Sequence, residues 1–191
     1  MALKRCEWSE SDPIYIKYHD EEWGVPLHAD VGLLEFLILD GMQAGLSWLT
    51  VLKKRENYRK AFDGFDPIKM SKYGNEKIES LMQNSGIIRN RLKINAAINN
   101  AKAFMRVKGE FGSFDDYIWG FVGRKPIINK WSMLNRIPAN STESDKMSKD
   151  LQSRGFSFAG STICYAFMQA AGMVNDHMTY CFRYKELIKR R

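Results

Sequence analysis

The chain has too few cysteines for a disulfide framework: three in 191 residues, one of which any pairing would leave over. It has no signal-peptide-like opening and no apolar run long enough to span a bilayer, so an intracellular, cytoplasmic soluble protein is the expectation. No stretch alternates apolar and polar residues convincingly over several strands, which removes the usual mark of a sheet protein. Internal repeats, low-complexity tracts and long Gly/Ser linkers are missing too, so nothing indicates a repeat array or tethered domains. What is present is an apolar fraction of 45%. That is enough to bury one good core, or two small helical lobes sharing a cleft.

Acidic residues are the minority charge, with 22 Asp and Glu against 29 Lys and Arg and a formal net charge of +7. This balance favours a polyanionic partner. Lys53, Lys54, Arg55, Arg59 and Lys60 form one basic group, and Arg89, Arg91 and Lys93 another. The tail holds Arg183, Lys185, Lys189, Arg190 and Arg191 against Glu186 alone. Any one cluster reads as a solvated face. Together they suit a phosphate backbone, where cation contacts release counterions.

The apolar periodicity is helical. Leu34, Leu37 and Ile38 recur at three- and four-residue spacings over 33–40, with Gly41 as the expected stop. After an interruption at 41–45 the pattern resumes over 46–62 with Trp48, Leu49, Leu52 and Tyr58. Asp66-Pro67 is a helix start, and Asn75 is placed to cap 76–82. Residues 89–105 carry Ile94, Ala97, Ile98, Ala101 and Phe104 on one face, and Ser113 is placed to cap 114–122. Residues 123–140 read as an irregular crossing segment with a short turn at 131–134, followed by helices over 144–154 and 161–171. An all-α fold of many short helices is the predicted class.

Two cysteine–histidine pairs stand near opposite ends of the chain, Cys6 with His19 and His177 with Cys181. If the four converge, they make a tetrahedral Cys2His2 site of the ligand mixture that suits zinc. His177 and Cys181 are four apart, so on a helix they would share a face; Cys6 and His19 need a turn between them, which 9–13 could supply. The wide gap between the pairs matches no zinc-finger spacing, and small buried cysteines with hydrogen-bonded core histidines are the competing interpretation. Cys164, in an apolar-rich stretch, reads as core.

Two further stretches carry chemistry. In Leu81-Met82-Gln83-Asn84-Ser85-Gly86-Ile87-Ile88-Arg89-Asn90-Arg91, Gly86 could take a positive φ, with Ile87 or Ile88 anchoring the turn. Exposed amides at the start of the next helix, strengthened by Arg89, Arg91 and Lys93, would clamp a phosphate; an ordinary two-helix turn is the alternative. Asp40-Gly41-Met42-Gln43-Ala44-Gly45-Leu46-Ser47-Trp48 sets an acid, an amide and an indole around a helix break, and Tyr15, Tyr18 and Trp23 surround His19. Aromatic rings near a carboxylate suit a flat, cationic ligand, although such rings are also common in cores.

Through these residues the chain resembles bacterial 3-methyladenine DNA glycosylase I, the Tag family of the helix-hairpin-helix glycosylase superfamily, over nearly all its length. The resemblance rests on Tyr15-Ile16-Lys17-Tyr18-His19-Asp20-Glu21-Glu22-Trp23-Gly24, Gln43-Ala44-Gly45-Leu46-Ser47-Trp48, Leu52-Lys53-Lys54-Arg55, Phe158-Ala159-Gly160-Ser161-Thr162-Ile163-Cys164-Tyr165 and Asn175-Asp176-His177. It implies one structural zinc ion on Cys6, His19, His177 and Cys181, joining 1–25 to 172–191. It implies a single glycosylase unit over 1–191, with 76–105 as the helix-hairpin-helix element. Tyr15, Tyr18, Trp48 and Trp23 would form the base pocket. Leu46 would be the wedge beside Gln43 and Gly45, and the Gly86 hairpin would hold the DNA backbone. Asp40 falls where the family usually has glutamate, one methylene longer. Asp115 and Asp116 lack the Gly-Pro-Asp context of the superfamily's catalytic aspartate, so neither is assigned catalysis.

The activity so implied is monofunctional hydrolysis of the glycosidic bond of 3-methyladenine, with 3-methylguanine as a second candidate, in alkylated duplex DNA and without lyase activity. Free 3-methyladenine would be the product ligand, and the expected state is a monomer with no membrane partner. The alternatives are a non-catalytic DNA-damage or abasic-site binding module, and a glycosylase whose lesion preference is altered by Asp40.

Overall fold

The structure, a computed structural model, describes residues 3–189; Arg190 and Arg191 of the basic tail lie outside them. The local start signals work through side chains. Asp12 accepts from the Ile14 amide and Pro13 takes the first position of α1 (Pro13–Glu21). Asp66 and Pro67 do the same for the single turn of α5 (Pro67–Met70). Between them run α2 (Asp30–Gln43), α3 (Trp48–Leu52) and α4 (Arg55–Ala61), and α6 (Asn75–Gln83) follows. Asn90 accepts from the Lys93 amide to open the long α7 (Arg91–Phe111), which ends at Gly112 with φ +88°. Ser113 caps α8 (Phe114–Trp119), and a reciprocal Ser141–Ser144 capping box starts α9 (Thr142–Ser153). The chain closes with α10 (Ser161–Ala170) and α11 (Phe182–Lys189).

The helix α2 is apolar nearly all round and forms the centre of the molecule. Leu33, Leu34, Phe36, Leu37, Ile38, Leu39 and Met42 are all buried, and α10, α7, α3 and α8 pack around them. A helix enclosed in this way presents its last turn to whatever lies at its end. That last turn carries Asp40 and Gln43.

Several boundaries differ from the periodicity. Gly41 does not stop α2; a Cβ there would lie 3.2 Å from Phe158 Cβ, so this glycine serves close packing rather than termination. The turn comes four residues later at Gly45, with φ +77°, and Ser47 then caps α3 by accepting from the Thr50 amide. The expected helix over 46–62 is two helices, interrupted at Lys53-Lys54, and Arg55 turns inward at the start of the second. Gly74, not Asn75, occupies the cap position of α6. The segment 123–140 includes a two-residue strand, β1 (Ile127–Ile128), paired in parallel with β2 (Val174–Asn175) in the register Ile127 to Val174 and Ile128 to Asn175. This pair is too short to show as alternation, and the fold remains all-helical. The terminal helices α1 and α11 fall outside the helices expected from periodicity.

The helices α6 and α7 with the turn 84–90 form the hairpin. Ile87 is buried and anchors it. The Ile88 amide donates to Tyr58 Oη at 3.1 Å, while Lys54 Nζ and Asn57 Nδ2 donate to the Gly86 carbonyl at 3.4 and 3.2 Å. Gly86 is not among the residues with positive φ, contrary to the expectation. Its missing side chain is explained by crowding, since a Cβ would lie 3.0 Å from Asn84 Oδ1 and 3.1 Å from Asn57 Cγ.

Candidate active site and metal centre

Cys6, His19, His177 and Cys181 converge. Their ligand atoms all lie within 4.8 Å of one another, and all four residues are buried. His177 and Cys181 come together on a turn after β2 rather than on a helix face, with the Cys181 amide bonded to the Met178 carbonyl at 2.7 Å. Cys181 Sγ is 3.5 Å from His19 Nε2 and 3.6 Å from His177 Nδ1, and Cys6 Sγ is 3.7 Å from His177 Nδ1. Tetrahedral bonds of about 2.0–2.3 Å to nitrogen and sulfur give edges of roughly 3.3–3.8 Å, which these separations match.

The outer partners fix the imidazoles for this role. His19 Nδ1 lies 2.7 Å from Asp20 Oδ1, whose carboxylate is held by Arg5 at 2.8 Å. His177 Nε2 donates to the Trp23 carbonyl at 2.9 Å. Each histidine therefore turns its other nitrogen toward the cluster. Burial holds the His177 pKa below its ordinary value, so the ring is a neutral ligand. The residues fit a structural zinc site of four protein ligands, which leaves no coordination position for substrate.

Next to this cluster lies a cavity of about 280 Å³ lined by Trp8, Tyr15, Tyr18, Trp23, Asp40, Gln43, Trp48, Leu134, Ile137, Ala166 and Gln169. The helix α1 supplies Tyr15 and Tyr18, and the last turn of α2 supplies Asp40 and Gln43. Tyr18 and Trp48 are tilted together with centroids 5.4 Å apart. Trp8 meets both Tyr15 and Trp23 edge-on at 4.9 Å. Asp40 is 4% exposed, and its Oδ2 finds no hydrogen-bond partner among the described residues. Burial pushes its pKa well above the usual carboxylate range, and the nearby Arg55 charge only partly opposes this. Burial, followed by the Asp40 charge, also raises the Tyr18 phenol.

Arg55 is itself buried. Its guanidinium donates at 2.5 Å to both Glu35 and Glu22, and it lies 5.0 Å from the Phe36 ring centroid. Phe36 in turn meets Tyr18 edge-on at 6.4 Å. An ion-pair network therefore backs the aromatic wall.

Tyr15, Tyr18, Trp23 and Trp48, the residues expected to form a base pocket, line one cavity with Asp40, and Gln43, expected on the DNA side, lines it too. Trp8, Leu134, Ile137, Ala166 and Gln169 complete the lining. Trp8 had a usable signal, an indole two residues from the metal ligand Cys6. Gln169 had none, because it is placed through Asp176. That buried carboxylate accepts from Gln169 Nε2, Tyr165 Oη, Asn129 Nδ2 and Trp131 Nε1 at 2.7–2.8 Å.

The residues expected to face DNA divide. Gly45 and Leu46 form an exposed turn, with Leu46 42% exposed. Arg89 is exposed on the hairpin, and Arg91 makes a two-pronged ion pair with Glu79 at 2.7 and 2.9 Å. Lys93 is a correction: it does not extend the basic flank but is buried, donating to the Met42 and Ala44 carbonyls at 2.8 and 2.6 Å.

The all-helical scaffold with its helix-hairpin-helix element, the aromatic, acid-bearing pocket and the adjoining candidate metal cluster together make a helix-hairpin-helix glycosylase fold. The methyladenine glycosylase family pattern matches residues 8–184. DNA-3-methyladenine glycosylase 1 of Escherichia coli (strain K12) is 50% identical over 182 residues, 95% of this chain and 97% of that one. A crystal structure of 3-methyladenine DNA glycosylase I superposes with a TM-score of 0.92 at 52% identity, covering 94% of this chain and 98% of the other. The Staphylococcus aureus 3-methyladenine DNA glycosylase I, in a structure describing 3-methyladenine recognition, gives 0.91 at 34% identity over 95% and 97%. The chain belongs to the methyladenine glycosylase family.

Proposed function

We propose that the protein releases 3-methyladenine from alkylated duplex DNA by hydrolysing its glycosidic bond and leaves the strand uncut, as the first step of base excision repair. The carrying observation is the buried, unpartnered Asp40 carboxylate inside a ring of aromatic side chains. Its relatives' recorded substrate is the same base. The unpaired lesion rotates out of the stack into the pocket, where ring faces of Tyr18 and Trp48 hold it and Tyr15, Trp8 and Trp23 complete the wall. Asp40 accepts a hydrogen bond from the base edge. Methylation makes the base cationic; its charge favours the ionised form of Asp40 against the upward push of burial, and the low-dielectric site strengthens the attraction between the two.

The cationic base is already a good leaving group, so the pocket binds and orients it without a strong general acid. Water attacks the sugar as the bond to the base breaks, the electron pair leaves with the base, which departs neutral, and the water's surplus proton passes to solvent. Zinc, when bound, supplies a cross-link between chain ends and no reactive oxygen. Leu46 enters the space left by the base, with Gln43 and Gly45 shaping its turn. The Gly86 hairpin, with the first-turn amides of α7 and with Arg89 and Arg91, holds the phosphate backbone. The protein acts as a monomer on duplex DNA containing alkylated purines, binds free 3-methyladenine as product, and works in the cytoplasm at the nucleoid. No helix among the described residues is long and apolar enough to cross a membrane.

The test of the base-recognition role is D40N. Loss of excision of at least about 100-fold with near-normal affinity for undamaged duplex supports it. Equal excision rates in the two proteins would refute it.

A further inference from the structure

Lys93 belongs to the first turn of α7, yet its side chain ends at a different element. Its backbone amide donates to Asn90 Oδ1 at 3.1 Å, the cap that ends the hairpin turn. Its ammonium donates to the carbonyls of Met42 and Ala44 on either side of Gln43. The last carbonyls of a helix lack intrahelical partners, and a cation there also complements the helix dipole. At this terminus the neighbouring carbonyls are otherwise served locally, Gly41 by the Ala44 amide and Gln43 by the Leu46 amide. Lys93 serves the remaining two from outside. The following residue is Gly45, in the left-handed region with no atom within 4 Å of a notional Cβ, so the turn carrying Leu46 has little packing of its own.

The lysine is 7% exposed, too enclosed to meet a phosphate. It lines a small cavity together with Ile38, Gly41, Ala97 and Phe158, on the flank of the helix turn that carries Asp40. One side chain thus ties three parts together: the hairpin, the exposed Leu46 turn and the end of the acid-bearing helix.

We propose that Lys93 is a positioning residue that locks the Leu46 turn to the hairpin, so that backbone engagement and wedge insertion occur as one rigid unit. This rests on the reading of Leu46 as wedge and the hairpin as clamp. A mobile turn would still let a free base enter the pocket, but it would lose the fixed spacing between phosphate grip and wedge. Lys93 therefore acts through Leu46 and touches neither the base nor the DNA backbone.

The experiment is a double-mutant cycle on release of 3-methyladenine from methylated duplex DNA by the full chain, using wild type, K93M, L46A and K93M/L46A. K93M is expected to lower kcat/KM about tenfold in the wild-type background and less than about twofold in the L46A background. Binding of free 3-methyladenine, followed by tryptophan fluorescence, should change less than about twofold in K93M, and K93R should recover most of the loss. If K93M does not fold, K93Q, which keeps a donor without the charge, takes its place in the cycle. An equal cost of the Lys93 change in both backgrounds, or a loss of free-base binding as large as the loss of excision, would overturn the coupling alone. An L46A protein as active as wild type would overturn the wedge reading and the coupling with it.

Discussion

Tyr18 lies against Trp48 with ring centroids 5.4 Å apart, and the very next residue, His19, is a ligand of the metal cluster. Pocket wall and metal ligand are consecutive on α1, so whatever orders the cluster orders the wall. The cluster also joins Cys6 to residues 177–181, a contact made across almost the whole chain.

Metal removal should therefore disturb the pocket as well as the fold. Chelation, or C6S, is expected to lower the thermal midpoint by about 10 °C or more, since structural zinc sites contribute several kcal/mol and each costs a few degrees in a chain of this size. Calorimetry with and without added zinc checks this, and a midpoint indifferent to chelator would count against a structural metal.

Asp40 should burden the fold in proportion to pH. Its folded-state pKa lies above the unfolded value because of burial, so the folded protein holds the proton more tightly. Wild-type stability then falls as pH rises from the ordinary carboxylate range through the folded pKa. D40N removes this titration, so its stability relative to wild type should grow over that interval and level off above it. Urea denaturation of both proteins across pH 4–8 reads the difference; parallel profiles would contradict it.

The Arg55 network should matter to stability and to the wall at once. Removing one partner of a buried, hydrogen-bonded ion pair leaves the other charge uncompensated, at a cost of about 3–5 kcal/mol. R55A is expected to fall in that range by urea titration, with weaker binding of free 3-methyladenine because Phe36 and Tyr18 lose their backing. E56A, which removes only the exposed partner of Arg59, should change stability by about 0–1 kcal/mol.

Gly172 has φ +69°, and an added Cβ would run into Val25 C and Pro26 N. Both the conformation and the contact are closed to other residues, and the neighbour is backbone that cannot rotate away. G172A should reduce the soluble yield or lower the thermal midpoint by several degrees. Its effect should exceed that of G64A, where φ is +70° but nothing lies within 4 Å.

The sequence made some of this legible and not the rest, for identifiable reasons. Helical class, the Asp66-Pro67 turn and the cap at Ser113 depend on neighbours in the chain, and local chemistry can be read locally; the Asp12-Pro13 start and the Asn90 cap are equally local but were not among the expected signals. The pocket acid and its aromatic companions were recoverable because they cluster in two short stretches. The convergence of Cys6 with Cys181 is not local, and spacing alone left it open beside a buried-core interpretation; the family resemblance supplied what spacing lacked. Gly41 misled because a glycine needed for the Phe158 contact looks the same in sequence as one that ends a helix. Lys93 misled for a similar reason: a lysine following Arg89 and Arg91 looks solvated until the carbonyls it reaches, some fifty residues earlier, are in view. Gln169 and the role of Asp176 depend wholly on tertiary packing.

The central claim is tested most directly by incubating the protein with methylated duplex DNA and identifying the released bases by chromatography, while strand integrity is followed in parallel. Free 3-methyladenine as the main product, abasic DNA without strand cleavage, and little release by D40N are expected. Absence of any released methylated base from a folded, zinc-loaded protein that still binds the DNA would contradict it and identify a binding module. Release dominated by another adduct would show that the shorter Asp40 side chain has moved the specificity away from 3-methyladenine.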